Sequence, residues 1–101
     1  MVKWGFLTNH ALVLIHVIDH PRSTLREIAR AVGITERATL SILRALEEED
    51  IIARRKEGRR NRYTVNLPAL LSHRTQGPYT IAEVGANLVN LARRVEERAR
   101  G

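Results

Sequence analysis

Apolar residues along the chain recur first at helical spacing, then in strand alternation, then at helical spacing again. Leu12, Val13, Leu14, Ile15, Val17 and Ile18 are apolar almost all round, which predicts a buried helix. It follows Thr8-Asn9, either of which can cap it, and stops at His20-Pro21 because the residue before a proline avoids the helical region. Leu25, Ile28, Ala29 and Val32 form a second stripe. Thr24 and Glu27 open it at capping-box spacing, and Gly33, free to take positive φ, closes it. Thr35 caps a third helix, with Ala38, Thr39, Ile42, Leu43 and Leu46 on one face. Residues 51–56 then read as extended, Glu57-Gly58-Arg59 as a turn, and Tyr63 and Val65 alternate with Arg62 and Thr64 on a returning strand. Pro68 and the polar stretch 72–78 read as a linker. Thr80 and Glu83 form another capping box, and Ile81, Val84, Leu88, Leu91, Val95 and Ala99 follow at spacings of 3, 4, 3, 4 and 4. The last stripe predicts a helix of about twenty residues, ~30 Å long.

Charge changes this picture at two places. On the third helix Arg37, Leu40, Ser41 and Arg44 lie away from the apolar face, the two arginines within about 20° of each other at 100° per residue. Two arginines, a serine and a leucine suit a major groove better than plain solvation. The chain of 101 residues has a formal net charge of +6, from 17 Lys+Arg against 11 Asp+Glu. The excess concentrates in the hairpin, where Arg54, Arg55, Lys56, Arg59, Arg60 and Arg62 repel one another unless something anionic lies over them. Nearly all the bases are arginine, which fits either the forked donor favoured at phosphate and guanine or a GC-rich genome. Arg26 lies just inside the second helix, whose first amides can hold a phosphate; Thr24 there is first a cap. The run Glu47-Glu48-Glu49-Asp50 opposes the third helix's dipole and reads as a solvated end pointing away from DNA, or else as a docking site for a basic partner.

Several function classes drop out. Without cysteine there is no disulfide scaffold, thiol nucleophile or cysteine-ligated zinc. No apolar run approaches the ~18 residues of a membrane span, and residues 11–15 are too short for a signal core, so a cytoplasmic, nucleoid-associated protein is expected. His16 and His20 are four apart beside Asp19, a usable ligand spacing, but nothing elsewhere completes a metal site. No nucleophile or phosphate-binding glycine loop accompanies them, so neither catalysis, a metal nor a cofactor is expected. Trp4 and Phe6 read as core or dimer packing, or as lining of an effector pocket.

The order of helix, helix, tight turn through Gly33, helix and basic hairpin resembles the winged helix-turn-helix regulators of bacteria and archaea, nearest to the MarR-like group. The resemblance lies in Trp4-Gly5-Phe6-Leu7-Thr8-Asn9-His10-Ala11, Thr24-Leu25-Arg26-Glu27-Ile28-Ala29, Val32-Gly33-Ile34-Thr35-Glu36-Arg37-Ala38 and Gly58-Arg59-Arg60-Asn61-Arg62-Tyr63, about two-thirds of the chain. It implies a homodimer that reads DNA with the third helix and lays a wing on the flanking groove. Thr35, Glu36, Arg37, Leu40, Ser41 and Arg44 fall on the recognition-helix positions; Arg59 and Arg60 fall at the wing tip. The chain departs from the group in its single C-terminal helix, which stands in for a larger helical dimer domain, and in Leu40, where a polar side chain is usual.

The expected fold is mainly α with a small β wing: a winged helix-turn-helix over residues 1–67, a linker over 68–79, and a dimerisation helix over 80–101. The expected function is sequence-specific binding of double-stranded DNA, at an inverted repeat, by a homodimeric transcription regulator. The helix over 36–49 enters the major groove and the wing over 54–62 lies on the flanking groove or backbone. The DNA-contacting residues would be Thr24, Arg26, Thr35, Glu36, Arg37, Leu40, Ser41, Arg44, Arg54, Lys56, Arg59, Arg60 and Arg62. Ile81, Val84, Leu88, Leu91 and Val95 would form the dimer seam, with Gly85 and Ala86 permitting close approach; the alternative is a helix folded back on its own domain. A small-molecule effector stays open. The rival functions are a winged-helix protein–protein adaptor and a sequence-blind, chromatin-like DNA binder.

Overall fold

Three threonine caps start the helices of the N-terminal part. In the computed structural model, which describes residues 7–75 and 77–100, Thr8 caps α1 (Asn9–Asp19) by accepting from the Ala11 amide. Thr24 caps α2 (Leu25–Val32) in a complete capping box. Thr35 caps α3 (Glu36–Glu48) by accepting from the Ala38 amide. Each side-chain oxygen satisfies an amide that has no partner within its helix. The α2–α3 turn depends on Gly33, at φ +83°, where the Ala29 carbonyl accepts from both Gly33 and Ile34. A Cβ at Gly33 would meet nothing within 4 Å, so replacement is opposed by backbone strain alone. Gly33→Ala should therefore destabilise the chain by roughly 1–2 kcal/mol, read as a lowered urea midpoint with unchanged slope.

Strands β1 (Ile52–Glu57) and β2 (Arg60–Val65) form an antiparallel hairpin, in register from Ile52 opposite Val65 to Glu57 opposite Arg60. Gly58 at φ +64° takes the turn. The three helices pack on one another, with β1 against α3 and β2 against α1. The core is Val13, Leu14, Val17, Ile28, Ala29, Ile42, Leu43, Leu46, Ile51, Ile52 and Tyr63. The Tyr63 amide donates to the Pro21 carbonyl at 2.8 Å, which fastens the hairpin base to the α1–α2 turn.

Three expectations need correction or fall outside the described residues. The first helix is not buried all round: Val13, Leu14 and Val17 face the core, whereas Leu12, Ile15 and Ile18 are exposed, because the elements it packs on touch one side only. Residues 68–79 are not wholly a linker. They include most of a short helix, α4 (Leu67–Ser72), with Pro68 near its start, where a missing amide hydrogen costs nothing. Trp4 and Phe6 lie outside the described residues.

The chain divides into two compact units, Met1–Asn66 and Leu67–Gly101. In the second, α4 packs on α5 (Ile81–Arg100), and Arg74 and Thr80 form an isolated antiparallel bridge. Thr80 and Glu83 satisfy each other's amides at the start of α5. No residue of α5 is buried, and Leu88, Leu91 and Val95 are 59%, 58% and 60% exposed. No helix among the described residues is long and apolar enough to cross a membrane.

Candidate nucleic-acid interface

The exposed side of α3 follows from its buried side. Thr39, Ile42, Leu43 and Leu46 are held in the core, so Arg37, Ser41 and Arg44 are turned outward with Leu40 half-buried beside them. Thr39 spends its hydroxyl on the Thr35 carbonyl at 2.9 Å, which lets a polar residue occupy the buried face without an orphaned donor. Arg37, Leu40, Ser41, Arg44, Ala45 and Glu48 line one continuous open surface along the helix. Thr35 and Glu36 lie exposed at its N-terminal end.

Ion pairing separates the basic residues into two groups. Arg26 Nε lies 3.9 Å from Glu36, Arg54 Nε 3.6 Å from Glu47, Arg60 Nη1 2.8 Å from Glu27 and Arg62 Nη1 3.9 Å from Glu57. Arg37, Arg44, Arg55, Lys56 and Arg59 make no ion pair among the described residues. Their charge is uncompensated and available to an anion. These pairs are largely exposed and individually weak. Arg26 and Arg62 can therefore exchange a distant carboxylate for a phosphate at little cost.

Arg60 behaves differently from the free wing-tip cation expected of it. Its Nη1 donates both to Glu27 Oε1 at 2.8 Å and to the Arg22 carbonyl at 3.0 Å. Glu27 Oε1 also accepts from the Thr24 amide at 2.8 Å. Hydrogen bonds from the Thr24 backbone and side chain, with Arg60 next, hold the Glu27 carboxyl at about 2. Because this folded-state value lies below the ordinary 4.5, the contribution to stability is present above that ordinary value and disappears as pH falls toward 2. The start of α2 is likewise less open to phosphate than the sequence implies. The capping box already occupies the Thr24 and Glu27 amides.

Two further differences concern charge. Arg55 has the same exposure and freedom as Lys56, and the strand register sets it opposite Arg62. Directly paired residues share a face, so Arg55 lies beside Arg62 on the face opposite Arg54 and Lys56, and the hairpin register is the signal that marks it as a candidate contact. The acidic end of α3 is not uniformly solvated. Glu47 is partly buried and paired with Arg54, while Glu48, Glu49 and Asp50 are exposed.

His16 and His20 stack with centroids 4.9 Å apart. The buried Ser23 hydroxyl donates to the His20 carbonyl at 2.9 Å, so His16 Nε2, 3.0 Å from Ser23 Oγ, carries a proton and donates to it. Burial, reinforced by His20, holds the His16 imidazole below its ordinary value. The pair thus fastens the end of α1 to the residue before the α2 cap. Among the described residues no three metal-ligating side chains come together.

A three-helix core with a helix-turn-helix and a basic hairpin defines the class. Residues 9–53 match the winged helix-turn-helix DNA-binding family model. Solved structures with this fold include MepR, a transcription regulator of the Staphylococcus aureus multidrug efflux pump MepA, at 18% identity and TM-score 0.54 over 89% of this chain and 78% of that one. S. aureus MepR bound to ethidium bromide gives 17% identity and TM-score 0.54 over 96% and 81%. No curated protein matches the chain by sequence.

Proposed function

We propose that the chain is a MarR-type transcription regulator that binds double-stranded DNA sequence-specifically as a homodimer. The observation that carries this reading is where the uncompensated cations lie. Arg37 and Arg44 share the outward side of α3, and Arg55, Lys56 and Arg59 sit on the wing, while Glu27, Glu36, Glu47 and Glu57 are engaged with other arginines. Arginine–phosphate contacts would supply affinity, and α3 in the major groove would supply specificity. Open apolar positions support a second copy as partner: Leu88, Leu91 and Val95 on α5, and Leu12, Ile15 and Ile18 on α1. A two-fold dimer sets two recognition helices about one DNA turn apart, ~34 Å, and so reads an inverted repeat.

The test is a binding series at two salt concentrations, with random duplex and with duplex from upstream of the protein's own gene. A sequence-specific regulator prefers the upstream DNA, a chromatin-like binder takes both equally, and a protein–protein adaptor takes neither. In the same series Arg59→Ala should flatten the slope of log K against log salt by about 1.8 units for a dimer, at about 0.9 per phosphate contact. An unchanged slope removes the wing from the interface.

A further inference from the structure

We propose that Glu27 is a positioning residue for the wing: it anchors Arg60, and through it the hairpin tip, to the start of α2, in the orientation that presents the wing to DNA. This rests on the DNA-binding reading and extends it to a residue of the wrong charge for a DNA contact. The base of the hairpin is held by burial of Ile52 and Tyr63 and by the Tyr63–Pro21 backbone hydrogen bond. The tip has no such hold, since residues 58–60 are exposed. It is held instead by two pairs of opposite charge that cross between hairpin and helix corner. Arg60 reaches Glu27 and the Arg22 carbonyl, and the Arg22 side chain returns to Glu57 at 3.4 Å. Glu57 and Arg60 are themselves the last register pair before the turn. Two acids and two bases thus close on one another with no net charge.

An exposed ion pair ordinarily contributes little, because ordering two long side chains offsets the attraction. Glu27 is an exception to that reasoning. The Thr24 amide already holds its Oε1 at 2.8 Å, and the box already fixes the side chain, so Arg60 meets an anchor whose ordering is part of the helix cap. The start of α2 and the wing are thereby set at a fixed separation.

The experiment pits position against charge. Glu27→Gln keeps a residue accepted in the capping box and removes one negative charge from a DNA-binding surface. On charge alone, affinity for duplex rises and the salt slope steepens. If Glu27 positions the wing, affinity falls about two- to fivefold per wing, the size of one exposed pair lost, and the slope flattens. Arg60→Ala loosens the tip from the other side without touching the cap, and the double variant should bind no worse than Arg60→Ala alone.

A measurement without DNA separates this inference from the function it rests on. The chain has no cysteine, so Arg30→Cys and Arg59→Cys give a unique spin-label pair, diluted in unlabelled chain, between α2 and the wing tip. The distance distribution should be narrow in the otherwise unchanged chain and broad with Glu27→Gln or Arg60→Ala. An unchanged distribution, or a rise in affinity with Glu27→Gln, overturns the proposal. If the unsubstituted chain binds no duplex at all, broadening still upholds Glu27 as the anchor of the hairpin, and it is the DNA-binding reading that fails.

Discussion

Leu88→Glu should leave the chain monomeric and lower its affinity for an inverted-repeat duplex by two orders of magnitude or more. Leu88 is 59% exposed, with Leu91 and Val95 alongside, so the substitution should disturb little packing and leave helical content nearly unchanged. In a symmetric seam the same residue meets its own copy or a close neighbour of it. Glutamate there sets two like charges in an apolar contact and leaves both poorly solvated. The consequence for DNA is steep because the second half-site is bound from an effective concentration set by the tether, and linking two modules raises overall affinity by ~10²–10⁴. Sedimentation should show a dimer for the unsubstituted chain and a monomer for the variant. A monomer at tens of micromolar in the unsubstituted chain would sink the seam on α5 and the two-half-site geometry with it.

What could be read from the residues was local. Thr24 with Glu27, Thr35 with Ala38 and Gly33 after Val32 each settle a helix end within three or four positions, and each is present as expected. The outward face of α3 was legible for the same reason, since a 3.6-residue period divides one helix without reference to any other. What escaped depends on partners far away in sequence. The exposed side of α1 has the same composition as its buried side, and only the packing of α2, α3 and β2 on one flank tells Val13 and Val17 from Ile15 and Ile18. Arg60 looks like any other cation of the wing until it is found against Glu27, 33 positions earlier. The six residues of α4 are too few for a period to show, and the proline near its start reads equally well as a loop.

Replacing Arg37 or Arg44 should separate specific from non-specific binding in a way no wing variant does. Both are exposed and neither is ion-paired among the described residues, so alanine at either position should leave folding unchanged. An arginine that forks onto a guanine edge contributes about 1–3 kcal/mol on the cognate site, roughly five- to 150-fold, and almost nothing on random duplex. An arginine that lies on phosphate contributes equally on both and lowers the salt slope instead. The two residues lie on one side of α3 seven positions apart, about 10 Å along the axis, so they would reach base pairs about three steps apart. A single-base substitution series should therefore show each variant losing discrimination at its own position, with the two positions separated by that interval. Equal losses on cognate and random DNA for both variants would leave α3 as a phosphate-binding helix and move the source of specificity elsewhere.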